Sequence, residues 1–197
     1  MNSLMDTDEI YPMKSDGNIR IDPNPAPVIE KWTEMEKAKD AGLVKHIGVS
    51  NFKVQLLNDL CAAAKIKPEV NQIEMHPYHQ QNGMVDFCQK KGIHLTAWSP
   101  LMRIGSGGQF DPLNDIVMKK IADKYNKTVP QIMIRWGIQR SPNISAIPKS
   151  MSPVRIKENF QVFDFQLDQS DMAEIAKLDK HQTLSDISDV MNIPVFD

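Results

Sequence analysis

The sequence is poor in cysteine, in long apolar runs and in any excess of charge of one sign. Cys61 and Cys88 are the two cysteines among 197 residues and form no CxxC pattern, which excludes a disulfide framework and a cysteine-rich metal site. No apolar run approaches the ~20 residues of a membrane span. The 23 basic and 25 acidic residues provide no basic excess for nucleic-acid binding. We therefore expect neither nucleic acid nor a membrane as partner.

The composition that remains is ordinary for a globular protein, with 41% hydrophobic and 24% charged residues. The polar, acidic residues 1–9 are unlike a signal or transit peptide, so we expect a cytoplasmic location. A length of 197 residues suits one main domain. The prolines at 12, 23, 25 and 27 and the turn signal at 15–18 predict an extended segment over 1–27. We assign the domain to 28–180 and a tail lying over the surface to 181–197.

Strand patterns alternate with helix patterns through the domain. Strands are predicted over 45–50, 69–75, 94–98 and 144–147. Helices are predicted from Pro27 to Gly42, over 53–65, up to Gly92, over 114–125, after Thr128, after Ser152 and over 170–178. Such alternation is typical of βα units around a parallel sheet.

The fold class is therefore α/β, and the choice lies between a Rossmann fold and a barrel. No GxGxxG follows any strand, so the Rossmann fold loses its main support. A (β/α)8 TIM barrel needs eight strands, whereas four are found here. We predict a partial (β/α)8 barrel of about four βα units and a tail. An open sheet of this kind is expected to have two exposed edges and an apolar inner face, which favours self-association.

Ligands of parallel βα proteins bind at the carboxyl ends of the strands, and in this chain those ends are rich in hydroxyl and amide groups. Ser50-Asn51 follows the first strand, and Gln72 and Glu74 share a face of the second. Polar residues on the inner face of a barrel strand need partners, and a ligand amide is one candidate among several. Trp98-Ser99 ends the third strand. Alone, Asn51 would be read as a helix cap and Trp98 as a core aromatic.

The end of the fourth strand indicates an anion site. Ser152 is a good N-cap and Pro153 a favoured first helical residue, so free amide groups are expected at this helix end. Lys149 and Arg155 lie beside it, although cations oppose the helix dipole unless an anion lies between them. On this segment alone, a bound phosphate and two merely solvated cations are equally favoured.

Metal binding is the weaker interpretation of the remaining polar residues. His76 and His79 flank a Pro-Tyr pair, but no carboxylate or cysteine pattern completes a ligand set. We predict no metal site. Cys61 and Cys88 lie on apolar helical faces and are predicted to be small core residues.

Five segments together resemble the aldo-keto reductase family. They are GLVKHIGVSNF at 42–52, NQIE at 71–74, HPY at 76–78, WSPL at 98–101 and IPKS at 147–150 with its continuation to Phe160. The segments follow one another in the family's order, and the resemblance spans roughly residues 10–180. Several separate motifs at the right spacing make it specific.

The resemblance implies a (β/α)8 barrel that binds NADP(H) across the carboxyl ends of its strands and reduces aldehydes or ketones. The partner would be a small-molecule carbonyl substrate. The positions that match the family's cofactor site are, in chain order, Ser50, Asn51, Gln72, Trp98, Ser99, Leu101, Lys149, Ser150, Met151, Ser152, Arg155, Glu158 and Asn159.

The matched positions also imply a role for each group. Ser50, Asn51 and Gln72 would hydrogen-bond the nicotinamide carboxamide. Trp98 would stack on the nicotinamide ring, at a position where many relatives have Tyr. Ser99 and Leu101 would line the pyrophosphate, and Glu158 and Asn159 would lie near the adenine. The 2′-phosphate would be held by Lys149, Ser150, Ser152 and Arg155. The anion site argued from the helix end coincides with the implied 2′-phosphate site, so its two cations favour NADP over NAD.

The family's proton-transfer residues, a Tyr, Lys, Asp and His in the first half of the barrel, have no counterpart here. Tyr11, Tyr78 and Tyr125 do not match the position of the donor. We therefore assign no catalytic residue and expect the C-terminal half of an aldo-keto reductase, truncated before the tetrad, with no turnover of its own. The alternative is a non-catalytic NADP(H)-binding or interaction module derived from that family.

Overall fold

A parallel four-stranded sheet lies at the centre of the fold. The computed structural model describes residues 24–102, 104 and 111–184, together with residue 15. The sheet order is β1-β2-β3-β4, and the strands are β1 (Gly48–Ser50), β2 (Val70–Glu74), β3 (His94–Trp98) and β4 (Ile144–Ile147). The predicted α/β class and the four strands are thereby confirmed.

Helices follow or precede each strand. They are α1 (Val28–Asp40), α2 (Val54–Ala63), α3 (Asn82–Lys91), α4 (Ile116–Tyr125), α5 (Val129–Gln139), α6 (Pro153–Phe160) and α7 (Gln169–Ala176), with a 3₁₀ turn at Pro112–Asn114. Among the helices of these described ranges, none combines the length and the apolar character that crossing a bilayer demands.

Two predicted helix starts are displaced by capping. The pattern predicts a helix over 114–125, but Asp115 Oδ1 accepts hydrogen bonds from Val117 N and Met118 N. Asp115 is therefore the cap, and α4 begins at Ile116, two residues later than predicted. Pro27, predicted as the first helical residue, has a ψ of 149° and caps α1 instead.

The two faces of the sheet differ in polarity. Ile73, Leu95 and Ala97 point to the helices and belong to the main buried core. The residues between them are polar, and on this opposite face Ser145 Oγ lies 3.0 Å from His94 Nε2 and 3.2 Å from Thr96 Oγ1. The expectation of an apolar inner face is therefore wrong. Parallel strands are commonly apolar on both faces, whereas these strands alternate, so that one face packs against the helices and the other is polar.

Gly48 allows β1 to lie close to β2. A Cβ atom at position 48 would lie 2.6 Å from the carbonyl oxygen of Val70. No real side chain tolerates such a contact, so only glycine permits this pairing. In the same register, two residues after the Gly48–Val70 pair, Ser50 pairs with Gln72. The close approach at Gly48 therefore sets the position of both polar side chains at the carboxyl end of the sheet.

Both outer strands have one neighbour in the described sheet, and an apolar groove runs beside β4. The groove has a volume of about 490 Å³ and lies between β4, α5 and α6. Phe160 and Phe163 lie on its rim with 76% and 68% of their surface exposed. The two rings contact each other edge to face, at 5.9 Å between centroids.

Candidate functional site

The carboxyl ends of β1, β2 and β3 are joined by hydrogen bonds among the predicted site residues. Ser50 Oγ donates to the carbonyl oxygen of Gln72 at 3.0 Å, and Asn51 N donates to the same oxygen at 2.8 Å. Trp98 Nε1 donates to Asn51 Oδ1 at 2.9 Å. Asn51 has a φ of 58°, in the left-handed region that asparagine adopts more readily than most residues.

A small cavity of about 130 Å³, lined by both polar and apolar side chains, opens between these strand ends and the end of the domain. Asn51 and Trp98 line it, whereas Ser50 and Gln72 lie beside it at the ends of their strands. The other residues of its wall are Phe52, Lys53, Ile73, Glu74, His79, Gln81, Met84, His181 and Thr183.

A larger cavity of about 970 Å³ continues from the end of β3 to the start of α6. Trp98 lines the small cavity and Ser99, the next residue, lines the large one. The structure brings most of the remaining predicted cofactor residues into this one cavity: Ser99, Leu101, Lys149, Ser150, Met151, Ser152, Arg155, Glu158 and Asn159.

The start of α6 has the predicted cap. Ser152 Oγ accepts a hydrogen bond from Arg155 N at 3.4 Å, and Pro153 is the first helical residue. Ser150 Oγ accepts from Ser152 N at 3.2 Å. This capping satisfies amide groups that the sequence analysis expected to be free, so the helix end offers fewer donors to an anion than predicted.

The positive charge of the large cavity comes from two side chains. Among the residues that the structure describes, neither Lys149 nor Arg155 forms an ion pair with a carboxylate. The other exposed lysines on the helices vary in this respect: Lys37 and Lys177 form such pairs, whereas Lys157 forms none with the described residues. Two cations beside a helix N-terminus are an arrangement that could hold an anion on electrostatic grounds.

Glu74 is held by a network that the sequence analysis did not find. Its buried carboxylate accepts hydrogen bonds from Thr183 Oγ1 at 2.7 Å and Leu184 N at 2.8 Å, and it lies 3.1 Å from His76 Nε2. Burial alone would raise the pKa of Glu74, but these hydrogen bonds outweigh it and hold the pKa below its usual range. The partner of Glu74 is therefore the chain itself, where a ligand amide was one candidate.

Residues 179–184 cross the strand ends as a strap. Lys180 N and Gln182 N both donate to the carbonyl oxygen of Tyr78 at 3.1 Å, and Asp179 Oδ1 accepts from Gln80 N at 3.3 Å. The first residues of the predicted surface tail thus form part of the cavity wall. Nothing in the sequence pattern signalled this, because Thr183 and Glu74 are 109 residues apart. Residues 185–197 of the tail lie outside the described residues.

The surroundings of the histidines and cysteines show whether these residues are grouped as metal ligands or packed as core residues. No group of three His, Cys, Asp or Glu side chains suited to a metal ion occurs in the described part of the chain. Burial lowers the pKa of His79. Cys88 is buried and Cys61 packs partly buried against the core, and burial raises the pKa of Cys88 to about 11. Both cysteines are core residues, as predicted.

The described tyrosines line neither cavity. Tyr78 is fully buried, and burial together with the nearby Asp115 carboxylate raises the pKa of its phenol. The Tyr125 hydroxyl donates to Asp171 Oδ2 at 2.6 Å and accepts from Asp168 N at 2.9 Å, far from the strand ends. Tyr11 lies outside the described residues.

Comparison with known proteins identifies close relatives. The model of the aldo/keto reductase family matches residues 6–180, so the match includes the N-terminal region as well as the interval 28–180. Aldose reductase B of Dictyostelium discoideum is 49% identical over 168 residues, which cover 85% of this chain and 52% of that protein. The chain thus spans about half the length of the curated relatives it matches.

Solved structures agree with this match. The aldose reductase of Giardia lamblia superposes with a TM-score of 0.83 at 35% identity and covers 96% of this chain and 62% of its own. An aldo-keto reductase of Bombyx mori in complex with NADP superposes with a TM-score of 0.81 at 34% identity, over 94% of this chain and 60% of its own. The fold is that of part of a (β/α)8 barrel.

Glu74→Gln should release the strap. A carboxamide cannot accept from Thr183, Leu184 and His76 together, and we expect a loss of about 1–3 kcal/mol in the free energy of unfolding near pH 7. Because the folded-state pKa of Glu74 is lowered, its contribution is present above the unfolded pKa and is lost as the pH falls below about 4. The stability of the variant should therefore vary less with pH over this interval.

Urea unfolding between pH 3 and 7 measures both effects, and limited proteolysis reports on residues 179–184. Glu174→Gln is the matched control, because Glu174 is exposed and paired only with Lys177. Equal stability and an equal pH dependence of Glu74→Gln and the wild type would show that the strap does not depend on Glu74.

Proposed function

Since this chain belongs to the aldo/keto reductase family, we propose that it forms the NADP(H)-binding part of a carbonyl-reducing oxidoreductase. Its substrate would be a small aldehyde or ketone, as in the family. The described strands would correspond to the C-terminal half of the barrel, with residues 1–27 preceding them, 28–180 forming the half-barrel and 181–197 the tail. A cytoplasmic location stays a prediction.

The observation that carries the cofactor assignment is the cation pair in the large cavity. Lys149 and Arg155 flank the capped start of α6, and no carboxylate of the described residues neutralises them. A 2′-phosphate carries close to two negative charges at neutral pH, so it fits this site, whereas the 2′-hydroxyl of NAD would leave both cations unpaired. These charges support NADP(H) over NAD(H).

The remaining predicted residues extend from this anion site toward the small cavity. Glu158 and Asn159 would lie near the adenine, and Ser150, Met151 and Ser152 would complete the phosphate site. Ser99 and Leu101 line the large cavity near the end of β3, where they would lie along the pyrophosphate. Ser50, Asn51, Gln72 and Trp98 would hold the nicotinamide at the other end, and a bound NADPH supplies the hydride.

Neutralising the two cations should weaken NADPH binding selectively. We expect Lys149→Gln and Arg155→Gln each to raise the dissociation constant for NADPH about 10-fold or more, because a hydrogen bond to a charged group contributes about 1.5–3 kcal/mol. The affinity for NADH, which has no 2′-phosphate, should change little. Isothermal titration calorimetry with both nucleotides measures the difference.

Lys157→Gln provides the control on the same helix. Lys157 is exposed, carries the same charge and does not line the cavity. Equal weakening by all three substitutions would indicate only a general electrostatic effect, and equal losses for NADH and NADPH would remove the 2′-phosphate assignment.

A second candidate function is a non-catalytic NADP(H)-binding or interaction module. The surroundings of the tyrosines favour it for this chain alone: Tyr78 is enclosed in the core, and Tyr125 is bonded to Asp171 and the amide of Asp168. Reduction of a carbonyl requires a proton donor within hydrogen-bond reach of the oxygen. No tyrosine of the described ranges provides one beside Trp98.

The two candidates differ in turnover. We expect the isolated chain to bind NADPH but not to oxidise it in the presence of a carbonyl compound faster than the reaction without protein. The absorbance of NADPH at 340 nm, recorded with an aldehyde substrate, measures this rate. Aldose reductase assayed in parallel confirms that the conditions support reduction. Saturable turnover that disappears in Asn51→Ala would instead establish that this chain is an enzyme by itself.

The open edge of β4 supports self-association as a further property of the chain. Phe160 and Phe163 expose roughly 300 Å² on the rim of the groove, which approaches the size at which exposed apolar patches mark contact sites. We expect a second copy to cover this groove. The polar inner face of the sheet makes association through that face less favourable than association through the groove.

Light scattering coupled to size-exclusion chromatography measures the state of association. Phe160→Lys with Phe163→Lys should shift the chain to a smaller species, because two charges in the groove oppose its burial. Val154→Lys is the control, since Val154 is 75% exposed on the same helix but lies outside the groove. A wild-type chain that stays monomeric up to 100 μM would contradict the proposal.

A further inference from the structure

We propose that Trp98 is a positioning residue that acts through Asn51. Its indole N–H binds the carboxamide oxygen of Asn51 and turns the amide nitrogen toward the ligand. The chain then presents hydrogen-bond donors at this point, and the ligand group that meets Asn51 must be an acceptor such as a carbonyl oxygen. This inference rests on the proposed NADP(H) site and goes beyond stacking of Trp98 on a ring.

The hydrogen bond itself links strands that are not neighbours. Trp98 ends β3 and Asn51 follows β1, with β2 between them, so the contact spans two strand spacings, about 9.6 Å. The distance of 2.9 Å from Nε1 to Oδ1 lies at the optimum for such a bond.

The chemistry of the indole decides which end of the amide it binds. An indole N–H only donates, so the Asn51 atom that it contacts is the oxygen and not the nitrogen. Among the described residues, Asn51 Nδ2 then has no protein partner, and its two hydrogens are available beside the small cavity. A phenol in place of the indole both donates and accepts, so it would not select one orientation of the amide.

The backbone of Asn51 is held as well. Its N–H donates to the carbonyl oxygen of Gln72 at 2.8 Å, and its φ of 58° places the residue in the left-handed region. With the backbone and the side-chain oxygen both fixed, the direction of Nδ2 is set before any ligand arrives. Such pre-organisation reduces the entropy lost on binding.

Two ligands separate the nicotinamide end from the phosphate end. NADPH contains the nicotinamide, and adenosine 2′,5′-bisphosphate lacks it but retains the 2′-phosphate. We expect Trp98→Phe to weaken NADPH binding about three- to tenfold, the range of one neutral hydrogen bond, and to leave the affinity for the bisphosphate unchanged. Binding of the bisphosphate also shows that the variant is folded.

A double-mutant cycle tests whether Trp98 acts through Asn51. In an Asn51→Ala background, Trp98→Phe should cause little further loss of NADPH affinity, because the group it positions is already absent. If the double variant lost NADPH affinity by the product of the two single-variant factors, the two residues would act independently. That result would overturn the inference and leave Trp98 with a stacking role alone.

The wild-type chain provides an independent measurement with the thionicotinamide analogue of NADPH, whose thiocarbonyl sulfur is a weaker acceptor. We expect the wild type to prefer NADPH over this analogue and Asn51→Ala and Trp98→Phe to lose that preference. A wild type without any preference would overturn the inference, even if both nucleotides bind. Failure of the wild type to bind the bisphosphate as well would instead overturn the proposed NADP(H) site itself.

Discussion

The candidate site depends on the close parallel pairing of β1 with β2. Only the missing side chain of Gly48 allows this approach, because a Cβ atom there would lie 2.6 Å from the Val70 carbonyl oxygen. The pairing aligns Ser50 with Gln72, and the continuing register aligns Glu74 with Trp98. Side chains from three strands therefore reach one edge of the sheet, and the bond between Trp98 and Asn51 can span it. A local backbone contact thus determines a long-range arrangement.

The sequence was informative where short-range rules apply. Alternation of strand and helix patterns predicted the α/β sheet, and Ser152-Pro153 predicted the capped start of α6, since a cap depends on residues within one turn. The cavity that unites Lys149 and Arg155 with Ser99 follows from the rule that parallel strands end at one edge. Assignment of these residues to a cofactor came from the resemblance, and it stays a prediction.

The features that were missed depend on contacts between distant parts of the chain. Glu74 is a lone acid on a strand, and its partner Thr183 lies in a segment without periodicity, so no local pattern joins them. The polarity of the inner face was missed for another reason. His94 and Thr96 on β3 each form a hydrogen bond with Ser145 on β4, and such pairs satisfy polar groups that the general rule for parallel sheets would exclude.

The two ends of the site differ in the interactions they offer, and this difference bears on how a nucleotide would be used. Lys149 and Arg155 would act mainly through charge, which attracts an anion over a distance, and the guanidinium of Arg155 would add some directionality. Asn51 and Trp98 act through directional hydrogen bonds, which add less affinity but fix an angle. Binding energy would therefore arise mainly at the phosphate end, remote from the reacting ring, and orientation at the nicotinamide end. Such a division is favourable for hydride transfer, because tight binding at the reacting ring itself would stabilise the ground state.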